Sequence, residues 1–380
     1  MNRNSGKRIA PGICSIFVFI VLLSMSSGVF AEDISETVQG GSHNSFRVDA
    51  LQFKTPETLT FCGEHVPLER RDVWERLDKQ FLLSLNRKAQ VILWLKRSKK
   101  CFPFIEEQLK NHNLPDDIKY LAVAESDLNN YALSPKGAAG TWQFMKHTGK
   151  RFGLEKKRWL DERYSFPKAT DAALKYLVSL YEQFGQWTLA IAAYNCGEKR
   201  VENEIEEQKT EDFFDLYLPK ETEEYLLRIM AIKIILSNPE KYGFVLDEHD
   251  YYVPYDTGVV EVSSPGLVHI RIIAEAAQTN FKTIKELNPE LKGHYLHEGH
   301  YTLFVPRIGR EGFSERLSAR LGKADKGTKT FYQVKEGDSL SRIAFKLDVP
   351  MKHLMEWNTI GKSGMIYPGQ KIIYYKRVWK

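Results

Sequence analysis

A carboxyl group set at the end of an apolar helical stretch can act as a proton donor, and Glu125 is placed that way. Ile118, Leu121, Ala122 and Glu125 fall at offsets 0, 3, 4 and 7, on one face of a helix. Partial burial disfavours the charged form of a Glu and raises its pKa, so the group stays protonated near neutral pH and can serve as a general acid. The plainer alternative is a Glu at a helix end whose carboxylate reaches water. Acid chemistry of this kind commonly pairs two carboxylates, and Asp127, Asp161, Glu162 and Asp171 are the candidates for a second. None has a comparable apolar setting; Asp161-Glu162-Arg163 and Asp171 read more simply as helix caps or ion-pair partners. Cys196 suggests a nucleophile, but no His lies nearby in sequence to activate it. His294, His297 and His300 form a close set in a Gly/Tyr-rich loop and read as incidental, so neither a metal site nor a cofactor is expected.

Helices must position Glu125. From 70 to 109 the pattern is helical, with Val73, Leu77, Phe81 and Leu82 on one stripe, continued by Val91, Leu95, Phe104, Ile105 and Leu109. Asn113-Leu114-Pro115-Asp116-Asp117 has the Pro and acidic residues of a first turn and opens the helix that carries Glu125. Further helices are expected over 141–152, 169–184, 187–194 and 221–236, with Gly185 and Gly197 as punctuation. No period-2 pattern occurs before about residue 251, so 69–242 is expected to be an all-helical domain and 32–68 a largely irregular lead-in.

After Gly243 the texture changes to strand (259–262), helix (266–278), helix (281–287) and strand (301–305), a small βααβ module over 243–308. The order recurs over 331–376, about seventy residues on, through Tyr332-Gln333-Val334, Gly337-Asp338-Ser339-Leu340, Trp357-Asn358 and Pro368-Gly369-Gln370. Residues 309–330, rich in Lys, Arg and Gly, read as a helix-and-linker connector. The fold class expected is therefore multidomain, an all-α domain followed by small α+β (βααβ) modules.

Four motifs occur in order. They are Glu125-Ser126; Ser134-Pro135-Lys136-Gly137-Ala138-Ala139-Gly140 running into Gln143 and Met145; Ala193-Tyr194-Asn195-Cys196-Gly197; and Glu221-Thr222-Glu223-Glu224-Tyr225. Together they resemble the soluble-lytic-transglycosylase family, whose fold is like goose-type lysozyme. The terminal βααβ unit resembles the LysM module, which binds N-acetylglucosamine-containing glycans, and the earlier unit looks like a diverged copy. The resemblance departs from the family's usual Gly-Leu-Met-Gln element, which here reads Gly140-Thr141-Trp142-Gln143. It implies an exported peptidoglycan lyase that works with one Glu. That Glu protonates the oxygen between N-acetylmuramic acid and N-acetylglucosamine. It then takes the proton of the C6 hydroxyl, whose oxygen attacks C1 to close a 1,6-anhydro ring. An intramolecular nucleophile removes the need for a second carboxylate, since effective molarities can reach on the order of 10⁵ M or more.

Carried over by position, Glu125 is the acid and then the base. Ser134 would hydrogen-bond near it, Gln143, Met145, Tyr194 and Asn195 would line the glycan groove, and Tyr225 would reach in beside Glu125. Taken singly, Met145 and Tyr194 could be core and Gln143 and Asn195 helix caps. Trp142 and Trp187 suit sugar stacking or core. In the terminal module the groove would lie between Gly337, Asp338, Ser339 and Leu340 on one loop and Ile366, Tyr367 and Pro368 on the other. Two other readings stay open: a hydrolytic muramidase on the same fold, and a non-catalytic glycan-binding wall scaffold.

Residues 1–31 have the grammar of a secretory signal: Arg3, Lys7 and Arg8, an apolar run over 13–23, and Val29-Phe30-Ala31 before Glu32. Export to a bacterial periplasm or envelope follows, with the leader either cleaved or kept as a membrane attachment. The formal charge of +5 falls to +2 without the three leader cations, which excludes nucleic acid as an expected partner. A monomer bound to glycan strands is expected. Cys62, Cys101 and Cys196 remain after cleavage; the odd number leaves at least one thiol free, and a Cys62–Cys101 pair stays open.

Overall fold

The computed structural model describes residues 52–323, 329–347, 349–361 and 363–375. The leader expected over 1–31 and the start of the lead-in lie outside the described residues. Within the described part of the lead-in, β1 (Leu59–Phe61) and β2 (Glu64–Val66) form an antiparallel hairpin. Its Leu59, Phe61 and Val66 are buried in the core of the helical body that follows. Three-residue strands are too short to show an alternating pattern in sequence.

That body comprises α1 (Arg71–Asn86), α2 (Lys88–Asn111), α3 (Lys119–Ser126), α4 (Lys146–Arg151), α5 (Phe166–Phe184), α6 (Trp187–Cys196), α7 (Glu198–Gln208) and α8 (Lys220–Ser237). On α1, Val73, Leu77, Phe81 and Leu85 recur every four residues and are all buried. α8 is apolar nearly all round from Tyr225 to Ile235, because it runs through the middle of the bundle against α1, α3 and α6. The same core reaches beyond residue 242 to Phe244, with Leu246 and Tyr251 packed against it.

The expected helix over 141–152 forms only as α4. Before it, Gly140 (φ 81°) and Gln143 (φ 47°) are left-handed, and Ala139 bridges to Phe144. The segment is a tight turn, a backbone course that no helix can share.

The first small module is β3 (Thr257–Ser264), β4 (Val268–His269), α9 (Ile270–Ala276), α10 (Phe281–Leu287), β5 (Tyr295–Leu296) and β6 (Gly299–Pro306). β3 pairs antiparallel with β6, Thr257 opposite Pro306, and β4 with β5. The first part of 309–330 holds the helix of the expected helix-and-linker connector. α11 (Phe313–Lys323) follows β6 and buries Phe313 and Leu317 in this module's core. The terminal module is β7 (Lys329–Gln333), α12 (Leu340–Leu347), α13 (Met351–Asn358) and β8 (Lys371–Tyr375), with β7 and β8 antiparallel. Its own core is built on Val334, Ile343, Leu354, Trp357 and Ile372. Among the described residues no helix is long and apolar enough to cross a membrane.

Candidate active site

Glu125 occupies the last turn of α3. The three residues that share its stripe, Ile118, Leu121 and Ala122, are fully buried, which draws the carboxyl into the bundle. α3 stops two residues later because Asp127 turns left-handed. Asp127 is fixed there: its Oδ1 accepts from Gln90 Nε2 (2.8 Å) and Trp94 Nε1 (2.6 Å), and its carbonyl from Arg97 Nη1 (2.9 Å). The carboxyl of Glu125 therefore projects from a helix end that cannot drift.

Facing it, α8 presents Tyr225, whose buried hydroxyl donates to Glu125 Oε1. One turn further, the Arg228 guanidinium lies 5.5 Å from the Tyr225 ring centre. Burial pushes the Glu125 pKa from 4.5 up to about 7; the Tyr225 hydrogen bond and the Arg228 charge oppose that rise, and the charge of Glu221 adds to it. Burial likewise holds the Tyr225 and Tyr194 hydroxyls well above their ordinary range, with the Glu125 charge adding to both. Tyr225 is buried while Glu125 and Tyr194 keep some exposure, and the carboxyl, raised to about 7, is roughly half protonated at neutral pH.

The remaining expected residues take distinct places. Tyr194, near the end of α6, donates to the Trp142 carbonyl (2.8 Å), so it braces the turn before α4. Asn195 is held by Thr222, whose Oγ1 donates to Asn195 Oδ1 (2.9 Å). The Glu-Thr-x-x-Tyr motif therefore works from one helix face at spacing three: Thr222 fixes Asn195 and Tyr225 engages Glu125. Gln143 donates to the Gly140 carbonyl (2.7 Å), and Met145 is 37% exposed at the start of α4. Ser134 Oγ accepts from Ala138 N (3.0 Å) and so closes its own loop. Gly140 is required where it stands. Besides its positive φ, a Cβ there would lie 1.8 Å from the Arg163 carbonyl oxygen.

The other candidate carboxylates are engaged elsewhere. Asp161 pairs with buried Arg163 through two contacts of 2.9 Å. Glu162 accepts from Glu155 N (2.7 Å) and Lys168 (2.5 Å), and Asp171 pairs with Lys175 (2.7 Å). Cys196 is half-buried with its thiol pKa raised by burial, the opposite of an activated nucleophile. All three described cysteines are free, Cys62 and Cys101 included. Trp142 is completely buried and donates to Thr170 (2.9 Å), and Trp187 stacks on Tyr181 at 4.2 Å, so both serve the core. Arg228 went unremarked in the sequence and Glu221 was noted only as part of its motif, although both sit on the α8 face already marked by Tyr225.

In the terminal module, Gly337 is left-handed (φ 80°) and Asp338 accepts from Lys335 N (2.8 Å) and Tyr332 Oη (2.9 Å). Ser339 accepts from Arg342 N (3.3 Å) and Leu340 is buried, so this loop is largely self-supporting. Val334 hydrogen-bonds to Gly369 and Gln370 (both 2.8 Å), which brings the second loop alongside the first. There Ile366 packs on the core, while Pro368 is exposed and Tyr367 is 62% exposed.

With this geometry in place, the likenesses of the chain are coherent. Residues 102–216 match the Transglycosylase SLT domain and residues 332–373 the LysM domain. The chain is 31% identical over 313 residues to membrane-bound lytic murein transglycosylase D of Escherichia coli (strain K12), covering 78% of this chain and 68% of that one. Fifty residues are 44% identical to an autolysin of Enterococcus faecalis (13% of this chain, 7% of that one). The 70 kDa soluble lytic transglycosylase of Escherichia coli aligns at 18% identity and TM-score 0.33, over 47% of this chain and 33% of that one. The site and the helical body define a lysozyme-like glycan lyase domain, joined to a terminal LysM module. The chain belongs to the lytic transglycosylase family, peptidoglycan-cleaving lyases, in the form represented by membrane-bound lytic murein transglycosylase D.

Proposed function

We propose that the protein cleaves the β-1,4 bond from N-acetylmuramic acid to N-acetylglucosamine without water, leaving 1,6-anhydro-N-acetylmuramic acid ends. The observation that carries this is Glu125, a carboxyl with a pKa of about 7, while Asp127, Asp161, Glu162 and Asp171 are all bound to other partners. Tyr225 engages Oε1, so Oε2 carries the proton to the departing oxygen. The glycosidic C1–O bond breaks as that proton transfers. The resulting carboxylate then takes the C6 hydroxyl proton while the C6 oxygen bonds to C1. Gln143, Met145, Tyr194 and Asn195 line the groove that holds the strand. Ser134 supports it at one remove, through its loop.

The terminal LysM module, through Gly337, Tyr367 and Pro368, keeps the enzyme on glycan. The leader exports it to the periplasm or cell envelope, where it acts as a monomer. Hydrolysis is the second reading, favoured by Glu221, the carboxylate whose charge acts on Glu125 and which could activate water. Purified sacculi treated with the protein should lose turbidity without gaining reducing ends. Reducing ends that accumulate with clearing, and vanish in Glu221→Gln, would establish hydrolysis instead.

A further inference from the structure

We propose that the first small module, residues 257–323, takes part in catalysis as the buttress of the loop that walls the acid. The glycan-binding role suggested by its resemblance is secondary. This rests on the reading that the protein cleaves glycan at Glu125.

The catalytic body and this module share a seam. Leu160, from the loop after α4, is buried in the module's core and bridges antiparallel to Leu291. Asp161 N donates to the Glu290 carbonyl (2.9 Å) and Lys292 N to the Trp159 carbonyl (2.8 Å). Trp159 stacks flat on His297, with ring centres 3.7 Å apart and planes at 15°. A second tie runs from Tyr131 Oη to the Glu286 carbonyl (3.4 Å).

From the seam, contacts lead directly to the site. Asp161, fixed by its backbone to the module, holds the guanidinium of fully buried Arg163 at two points. The same guanidinium donates to the carbonyls of Gly137 (2.7 Å) and Phe144 (2.8 Å), the two sides of the loop bearing the Ser-Pro-Lys-Gly motif. That loop is in turn bound to the α3 helix end, since Ser126 Oγ donates to the Thr141 carbonyl (2.8 Å) one residue after Glu125. A module that only captured substrate would need none of these bonds.

The module's own counterpart of the glycan groove is drawn closed. The two loops that would flank it are zipped together as β4 and β5. Leu267 and Tyr295 beside them face the terminal module, Leu267 packing on its core and Tyr295 Oη lying 3.3 Å from His353 Nε2. The module thus packs against both the catalytic body and the terminal module, which Arg158 of the body also meets directly by donating to the Met355 carbonyl (2.6 Å).

The test is steady-state turnover of a short soluble peptidoglycan fragment, too small to span both site and modules. Trp159→Ala, which removes a partly buried ring packed on the edge of the module's core, and Leu160→Ala are compared with wild type, each checked for folding by circular dichroism. A buttress predicts kcat lowered about tenfold or more with KM changed far less, because a displacement of about 1 Å can cost on the order of 10²-fold. Leu160→Met, which refills the seam, should restore the rate. Folded Trp159→Ala with unchanged kcat overturns the proposal, whether or not Leu160→Ala folds. So does a change confined to KM. Wild type that leaves the fragment intact while clearing sacculi would also overturn it. Wild type inactive on both substrates would instead refute the cleavage reading on which the proposal rests.

Discussion

Glu125 gains its chemistry from a conflict between burial and charge, and that conflict has a sign that can be measured. Its folded pKa of about 7 exceeds the ordinary 4.5. The stability linked to this group is therefore fully present below pH about 4.5 and is lost as pH rises through about 7. Glu125→Gln removes the charge, so it should be more stable than wild type near pH 8, by up to about 3 kcal/mol, and show no advantage near pH 4. Urea denaturation at the two pH values reads this directly. Tyr225→Phe removes the hydrogen bond that favours the carboxylate, so the Glu125 pKa should rise and the alkaline limb of the rate profile should move up. The same change should cut kcat by roughly 10- to 100-fold, the size of a hydrogen bond to a charged group. An unmoved alkaline limb would mean that Tyr225 does not engage the acid.

At the scale of elements, the chain disclosed its regular helices and concealed its turns. The stripe of Val73, Leu77 and Phe81 marks α1 because four-residue spacing repeats over several turns. The stripe ending at Glu125 marks α3 in the same way. The hairpin at Leu59–Val66 left no such trace because its strands are three residues long, and the turn at 140–145 because Arg163, distant in sequence, holds it. Arg163 reads as an ion-pair residue, yet nothing local tells that its other hydrogen bonds reach back to Gly137 and Phe144. The motif places Ser134 in that loop but does not tell which partner its hydroxyl takes, here the Ala138 amide. Gly140→Ala tests the turn. Positive φ and the Arg163 carbonyl both oppose a methyl there, and the loss should be about 3 kcal/mol or more in urea denaturation. A near-neutral result would show that the loop relaxes freely.

For the whole molecule, three cores divide the work: a helical body that holds the acid, a middle module built against it, and a terminal LysM module. Tyr367 is exposed in the second loop of that last module. Tyr367→Ala should lower binding to sacculi about tenfold, the equivalent of about 1.4 kcal/mol, in co-sedimentation. The central claim is that C6 of the sugar, not water, attacks C1. Mass spectrometry of muropeptides released from sacculi in ¹⁸O-labelled water tests it most directly, with Glu125→Gln as the control. The account predicts unlabelled products ending in 1,6-anhydro-N-acetylmuramic acid, absent from the control. Reducing ends carrying ¹⁸O would contradict it.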